Sequence, residues 1–418
     1  MKFLNLQEVY SFIEAHINDN ISALILSHSK RGGNDISQEF PLEFAIVQIE
    51  SRRKSIKKLA GFLRNREFLF PSVQCAEQST NEFVAQYHAL LAGTGKRIVD
   101  LTAGLGIDAF TMAVKGNCVT AVELDPARAE ILRHNKEVLN IRDIDIINSD
   151  CIEWMKNLTL ERDKTGRKPF DIAFIDPARR DDNNRRTYFF KDTLPDITVN
   201  YDLVRKTAAT LMVKASPILD ITSVTDTFPD IREIHIVCVK GECKEVLAIM
   251  EDGCNTKDSE IIVTDLSGKD AIAGNIEIRS EFRVKSASMN QSPEQFIMPR
   301  EGEYLYEPNA GLQKLRVDSE ICKRFEVGKV ARDTNLFHSE SLHPDFPGRI
   351  FKINRILDKK QLKALKGEAR DVAVRNYPLD AEQLRARLKV KPNETHYIYG
   401  MRAGVGAIPM LLDCDKLH

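Results

Sequence analysis

The chain has 418 residues, of which 43% are hydrophobic and 29% charged, and this length predicts two to four domains rather than one compact core. No stretch approaches the ~20 apolar residues of a membrane span, and the N-terminus lacks the pattern of a signal peptide. A net charge of −1 argues neither for nor against binding of nucleic acid. The eight cysteines include no CxxC pair, so the sequence predicts no zinc site, no other metal site and no disulfide scaffold. We therefore expect the protein to lie in the reducing cytoplasm.

The first 90 or so residues are predicted to be helical. Apolar side chains recur at three- and four-residue spacing between Phe3 and Ile17, as one buried helical face requires. A second helix is predicted over residues 41–63. Ser79 and Glu82 match a capping box, so we expect a third helix to begin at Ser79.

From Arg97 onward, short β-rich segments alternate with stretches long enough for helices. This alternation predicts a doubly wound, mostly parallel α/β sheet. The last two strands are separated only by residues 240–243, too few for a parallel crossover, so they should form a hairpin with an antiparallel last strand. The seven predicted strands are RIVDL, CVTAVEL, IDIINSD, FDIAFID, TLMVKAS, IREIHIVCV and KEVLAIM.

A glycine-containing turn follows the first of these strands. Gly104 and Gly106 permit a tight turn and a close approach of the backbone to a ligand, and Asp100 before them is placed to accept hydrogen bonds from a cationic amine. The turn also matches the dinucleotide fingerprint GxGxxA, with Glu123 at the expected distance for a ribose diol. These residues alone permit either S-adenosylmethionine (SAM) or NAD(P).

Residues about 95–250 resemble class I SAM-dependent methyltransferases, and three downstream features carry the resemblance. Asp150 ends the third strand, where these enzymes place an acid that contacts adenine, and Asp176-Pro177 ends the fourth, where they carry a catalytic motif. The closing hairpin is the third feature. The resemblance therefore implies SAM as the cofactor, and we expect it to be bound by Asp100, Thr102, Ala103, Gly104, Gly106, Asp108, Glu123, Asp150 and Cys151.

Three motifs narrow the resemblance to a bacterial family of SAM-dependent methyltransferases with a C-terminal THUMP-like domain: VDLTAGLGID, VELDP and FIDPARR. Residues 376–400 are similar to the THUMP-like domain, and residues 304–315 to a small ferredoxin-like domain before it. The resemblance implies RNA as the substrate class, because THUMP domains proper bind RNA; the oligomeric state stays open. The expected division is a helical region at 1–90, a methyltransferase domain with a seven-stranded Rossmann-like sheet at 91–262, a ferredoxin-like α+β domain at 263–345 and a THUMP-like domain at 346–418.

The proposed catalytic motif departs from the usual Asp/Asn-Pro-Pro-aromatic pattern of amine methyltransferases, because Ala178 and Arg179 replace the second proline and the aromatic. Asp176 and the carbonyl of Pro177 can still accept hydrogen bonds from a target amine for direct in-line methyl transfer. Arg179 can stack on a base or hold a phosphate. We expect Asp176, Pro177 and Arg179 to be catalytic, and Arg180 and Lys214 to contact substrate.

For several side chains a structural role is an alternative to a functional one. Lys214 either faces the substrate or caps its strand, Cys151 is predicted to be a core residue rather than a nucleophile, and His88 to be structural. Basic residues at 52–58 are predicted to form a solvated helix face, whereas those at 385–391 are better candidates for RNA contact. Two other functions stay open: an NAD(P)-dependent oxidoreductase and a SAM-binding scaffold without catalysis.

Overall fold

A computed structural model describes residues 5–29, 40–160, 167–179, 190–270 and 275–417, and of Arg179 it describes only the backbone. Within these ranges, no helix is both long and apolar enough to cross a bilayer. The chain divides into two compact units. Unit 1 comprises Met1–Ser216, Leu247–Gly253 and Leu266–Glu277; unit 2 comprises Pro217–Val246, Cys254–Asp265 and Ile278–His418.

The N-terminal region is helical, as predicted. The helix α1 buries Val9, Tyr10 and Ile13 in a small core that it shares with Ala45 and Ile49 of α3, because these apolar residues lie on one face of each helix. The helices are α1 (Leu6–His16), α2 (Ile21–Ser29), α3 (Leu42–Ser55), α4 (Val73–Gln78) and α5 (Glu82–Ala92).

The predicted start of the third helix at Ser79 is wrong. The helix α5 begins at Glu82, and the side chain of Asn81 caps it by accepting a hydrogen bond from the amide of Phe83. Ser79 instead ends α4, and the carboxylate of Glu82 accepts a hydrogen bond from the amide of Gly61. Ser79 and Glu82 therefore match the capping-box spacing, but an asparagine between them provides the cap.

All seven predicted strands are present in the first sheet: β1 (Arg97–Asp100), β2 (Cys118–Glu123), β3 (Ile144–Asn148), β4 (Phe170–Ile175), β7 (Ala208–Ala215), β8 (Ile231–Val239) and β9 (Glu242–Glu251). A two-stranded ribbon, β5 (Ala178–Arg179) with β6 (Thr193–Leu194), lies between β4 and β7 in the chain. The helices of this region are α6 (Ile107–Val114), α7 (Pro126–Val138), α8 (Cys151–Leu160), α9 (Ile197–Thr207) and α10 (Ile221–Thr227).

Within the described residues the sheet has nine strands, so the prediction of seven is wrong in number. Two long strands, β10 (Glu260–Asp270) and β11 (Asn275–Lys285), give the order β11-β10-β8-β9-β7-β4-β1-β2-β3. The strand β10 pairs with β8, whose edge would otherwise carry unpaired backbone groups. The sequence beyond residue 262 was assigned to a separate domain, and these strands were therefore missed.

The predicted hairpin is confirmed. Lys240 and Gly241 alone join β8 to β9, and both have positive φ, 53° and 81°. Two successive residues with positive φ are typical of a type I′ turn, whose twist matches that of the antiparallel strands it joins. Ladders of β1 with β2 and β4, and of β4 with β7, are parallel, as predicted.

The remaining strands form a second sheet in an α+β arrangement. Its order is β13-β14-β12-β15-β18-β17-β16, and Phe351, Tyr399 and Met401 lie in its buried core. The elements are β12 (Tyr304–Pro308), α11 (Ala310–Leu315), α12 (Asp318–Phe325), β13 (Gly328–Ala331), β14 (Thr334–Ser339), β15 (Gly348–Ile356), α13 (Lys359–Ala364), β16 (Asp371–Arg375), α14 (Ala381–Leu388), β17 (His396–Ala403) and β18 (Ile408–Lys416).

The turn between β1 and α6 depends on two glycines for different reasons. Gly106, with φ 85°, precedes α6, and a Cβ added to it would lie 2.4 Å from Leu132 Cδ2 and 2.8 Å from Phe110 Cε2. Gly104, with φ 55°, would place a Cβ in open space, where the nearest atom is a backbone oxygen 3.8 Å away. Gly106 is therefore required by core packing, whereas Gly104 leaves its outer side free for a ligand.

Gly106→Ala should destabilise unit 1 by about 2–4 kcal/mol, because the methyl group adds overpacking to the strain of a left-handed backbone. Gly104→Ala, the matched control, should cost about 1 kcal/mol, from backbone strain alone. Urea unfolding followed by the fluorescence of the single tryptophan, Trp154 of α8, measures both. Equal losses in the two variants would contradict this account of Gly106.

Candidate functional site

Acidic side chains of the candidate site meet at the carboxyl ends of parallel strands. Asp100 ends β1, Glu123 ends the neighbouring β2, and Asp176 follows β4 on the other side of β1. Ligands of open α/β sheets bind at this edge, where the chain turns away from the sheet. The structure therefore brings together three residues that lie up to 76 positions apart in the sequence.

Asp100 is buried, with 2% of its surface exposed. The amide of Thr102 donates a hydrogen bond of 3.0 Å to its Oδ1. Burial raises the pKa of Asp100 to about 8, and the nearby negative charges of Asp108 and Asp176 add to this effect. A cationic amine beside this carboxyl would favour its ionised form, so Asp100 fits the amine of a SAM methionine group.

Glu123 ties the glycine turn to the second strand. Its Oε2 accepts a hydrogen bond of 2.9 Å from the amide of Gly104, and its Oε1 accepts one of 2.9 Å from the amide of Asp125. The amide of Ala103 donates to the carbonyl of Val122 at 3.0 Å. A carboxylate oxygen has a further lone pair beyond one such bond, so Glu123 can still accept hydrogen bonds from a ribose diol.

Asp150 and Cys151 begin α8 at the end of the third strand. Asp150 Oδ1 accepts hydrogen bonds from the amides of Ile152 and Glu153, at 2.8 and 2.9 Å, and so caps the helix. Cys151 is buried, and burial together with the charge of Asp150 raises the pKa of its thiol to about 12. A thiol in this state is neutral at physiological pH, which agrees with Cys151 as a core residue.

Lys214 of β7 contacts the proposed catalytic carboxylate. Its Nζ donates to Asp176 Oδ2 at 2.6 Å and to Thr80 Oγ1 at 2.9 Å, and only 9% of Lys214 is exposed. The amide of Asp176 donates to Thr102 Oγ1 at 2.8 Å. Of the two alternatives that the sequence left open, this geometry favours neither a free substrate contact nor a simple strand cap, but a residue that positions Asp176.

Two residues of this cluster, Thr80 and His88, were missed as site residues. Thr80 donates to Asp108 Oδ2, and His88 Nδ1 lies 2.8 Å from Asp108 Oδ1. Burial opposes ionisation of Asp108, but the hydrogen bond and charge of His88 lower its pKa overall. Both oxygens of Asp108 thus have partners within the protein, which favours a supporting role over a direct cofactor contact.

The segment after Pro177 is described only in part. Ala178 pairs with Leu194 and Arg179 with Thr193 in an antiparallel ribbon. Of Arg179 only the backbone is described, and Arg180 lies outside the described residues. Among the residues that the structure does describe, no group of three or more metal-ligating side chains occurs.

The raised pKa of Asp100 predicts how the stability of unit 1 changes with pH. Because the folded carboxyl holds its proton up to about pH 8 while an unfolded one loses it near pH 4, the stability of folded unit 1 should fall as pH rises between these values. Asp100→Asn should remove this pH dependence, so the free energy of unfolding of the variant should rise relative to that of the wild type between about pH 5 and about pH 8. Urea unfolding at both pH values, followed by Trp154 fluorescence, measures the difference.

Asp171 of β4 provides a control of opposite sign. Its pKa is lowered despite partial burial, because the amide and the guanidinium of Arg97 donate hydrogen bonds to it. Asp171→Asn should therefore lose stability at neutral pH and approach the wild type as the solution is acidified. If the free energies of unfolding of Asp100→Asn and the wild type differ by the same amount at about pH 5 and about pH 8, Asp100 does not titrate in this range.

Family models match three segments of the chain. Residues 71–187 match a model described as "Putative SAM-dependent methyltransferase", residues 304–347 a ferredoxin-like domain, and residues 348–416 a THUMP domain-like model. Among curated relatives, ribosomal RNA small subunit methyltransferase D of Buchnera aphidicola is 29% identical over 30% of this chain, and methyltransferase J of Coxiella burnetii is 36% identical over 19%. The chain spans 64% and 31% of the lengths of these two relatives.

One solved structure shares the fold along the whole chain. It is a Porphyromonas gingivalis W83 protein described as a "putative methyltransferase", 23% identical, with a TM-score of 0.83 and 100% coverage of both chains. This likeness shows the fold. The resemblance to SAM-dependent methyltransferases that carry a ferredoxin-like and a THUMP-like segment is thereby confirmed over residues 71–187, 304–347 and 348–416.

Proposed function

We propose that the protein is a SAM-dependent methyltransferase that transfers a methyl group directly to an amine of an RNA base in the cytoplasm. One observation carries the proposal: Asp176 lies beside Asp100 and the Glu123-bound glycine turn, with Lys214 on its Oδ2. A site for a cationic cofactor and an acceptor for a substrate amine thus share one edge of the sheet.

The cofactor assignments follow from the chemistry of the turn. We assign the SAM amine to Asp100 and the ribose diol to Glu123. The methionine group would lie along the open side of Gly104, beside Thr102 and Ala103. The adenine is assigned to Asp150 at the start of α8. SAM carries its methyl group on a sulfonium, a good leaving group, so the protein has chiefly to bring the acceptor into line and exclude water.

Asp176 and Pro177 are assigned to orient the target amine. Because Lys214 engages Oδ2 of Asp176, we assign Oδ1 and the carbonyl of Pro177 as acceptors for the amine hydrogens. The ammonium of Lys214 also holds the side chain of Asp176 in one orientation. Arg179 and Arg180 remain the proposed contacts to the base or a phosphate, in place of the missing aromatic residue.

RNA as the substrate is supported by the relatives and by the C-terminal segment. Both curated relatives named above are ribosomal RNA methyltransferases. Basic residues at the end of α14, Arg387, Lys389 and Lys391, are exposed and available to phosphates. We therefore propose that the THUMP-like domain at 346–418 contacts the RNA.

Two of the basic residues at 52–58 form hydrogen bonds within the protein. Arg52 donates to the carbonyls of Arg66 and Phe68, and Arg53 donates to those of Ile17 and Asp19. These guanidiniums hold neighbouring segments of the helical region together. We do not assign them to RNA.

Methyl transfer is tested with the full chain, labelled SAM and RNA from cells that lack the protein, followed by nucleoside analysis. Label should enter a base of the RNA. Asp176→Ala should lower turnover by roughly 100-fold or more while the SAM dissociation constant changes by less than about threefold, because Asp176 is assigned to the acceptor. Asp202→Ala, at an exposed position of α9, is the matched control and should keep full activity.

Lys214→Met should lower turnover, and Lys214→Arg should restore part of it, because the arginine keeps the positive charge beside Asp176. Full activity of Asp176→Ala would overturn the assignment of the acceptor. SAM binding without incorporation into RNA, protein or small molecules would favour the scaffold function, which the altered residues Ala178 and Arg179 keep open. Binding of NAD(P) in place of SAM would favour the oxidoreductase.

A further inference from the structure

Two cysteines face each other across the β8–β9 hairpin. With Lys240 and Gly241 as the two turn residues, Val239 pairs with Glu242, and Cys238 pairs with Cys243. The first pair next to such a turn exchanges backbone hydrogen bonds, so the second is a non-hydrogen-bonded pair with Cα atoms about 4.5 Å apart. This separation lies within the roughly 4.4–6.8 Å that disulfides span.

The two thiols already interact. The thiol of Cys243 donates a hydrogen bond of 3.8 Å to the carbonyl of Glu245. Hydrogen bonding from the thiol of Cys238 lowers the pKa of Cys243 although burial opposes it, and the positive charge of Lys314 lowers it further. The same hydrogen bond and burial raise the pKa of Cys238. The pair therefore consists of one sulfur that favours the thiolate and a neighbouring thiol within contact distance.

The helix α11 packs directly on Cys238 because Gly311 has no side chain. A Cβ at Gly311 would lie 3.0 Å from Cys238 Sγ and 2.5 Å from Val263 Cγ1. This close approach brings Lys314, one turn further along α11, near Cys243. Cys243 is partly exposed, whereas Cys238 is fully buried, so a small oxidant reaches Cys243 first.

We propose that Cys238 and Cys243 form a reversible oxidation site, a dithiol that a peroxide converts into an intrachain disulfide across the hairpin. The thiolate of Cys243 attacks one oxygen of the peroxide, the O–O bond breaks, and a sulfenic acid forms. The expelled hydroxide takes up the proton that Cys243 released on ionising and becomes water. The sulfur of Cys238 then attacks that sulfenic sulfur, the S–S bond forms, and the expelled hydroxide takes up the thiol proton as a second water. Two thiols lose two electrons and one hydrogen peroxide gains them; a dithiol reductant reverses the change.

The test treats the reduced, folded full chain with hydrogen peroxide near neutral pH, blocks free thiols and digests the protein with trypsin without reduction. Cleavage after Arg232, Lys240 and Lys244 separates the two cysteines, so a disulfide between them yields residues 233–240 linked to 241–244. This linked product should be the major oxidised species and should disappear with dithiothreitol. The proposal is independent of methyl transfer, so its failure leaves the proposed function intact.

Variants distinguish disulfide formation between Cys238 and Cys243 from oxidation of other cysteines. Cys238→Ser and Cys243→Ser should each abolish the linked product, whereas Cys118→Ser, at an exposed cysteine, should leave it unchanged. Lys314→Met should slow alkylation of Cys243 by roughly threefold or more, because the thiolate loses a stabilising charge. Absence of the linked product from folded wild type, its formation only in denaturant, or equal alkylation rates in Lys314→Met and wild type would overturn the proposal.

Discussion

Acidic side chains at the carboxyl edge of a parallel sheet, and the few cations that compensate them, are the constraint on which the candidate site depends. Asp100, Asp108 and Asp176 approach one another in unit 1, and Lys214 and His88 lie beside two of them. An unpaired buried carboxylate is costly, so it either gains a cation or keeps its proton. The buried Asp108 is hydrogen-bonded to His88, and the half-buried Asp176 pairs with Lys214. The buried Asp100, which lacks an ion-pair partner in the described structure, has its pKa raised to about 8.

This arrangement gives each acid a different function within one small region. In the proposed function, Asp100 ionises when the cationic amine of SAM binds beside it, and Asp176 is oriented by the ammonium of Lys214. Both oxygens of Asp108 have partners in Thr80 and His88, and the contact with His88 joins α6 to α5. In the proposed function, one residue type thus contacts the cofactor, orients the methyl acceptor and supports the packing of helices, and the surroundings of each aspartate determine which.

Local sequence patterns predicted the strands and the turn, because burial in a parallel sheet leaves apolar runs and a tight turn requires glycine. They did not predict the partners of Asp108, because Thr80 and His88 lie 28 and 20 positions before it, with no spacing that marks them. Gly104 and Gly106 look alike in the sequence, and only the packing of Phe110 and Leu132 separates their functions. Contacts of this kind are set by the tertiary structure.

The β8–β9 hairpin also contains a contact that local sequence patterns could not predict. The short connection between β8 and β9 predicted an antiparallel pair, but the opposition of Cys238 and Cys243 depends on a turn of two residues with positive φ. A longer or shifted turn would separate the two sulfurs. The additional strands β10 and β11 were also outside the prediction, because the pairing of β10 with β8 joins segments that the sequence patterns assigned to different domains.

Calorimetric titration of the full chain with SAM, in two buffers of different ionisation enthalpy near pH 6.5, tests the central claim most directly. SAM should bind, and its amine should ionise Asp100, so close to one proton should be released per site, whereas Asp100→Asn should release none. NAD and NADP should give no binding heat. Binding of a dinucleotide, with no binding of SAM, would contradict the account.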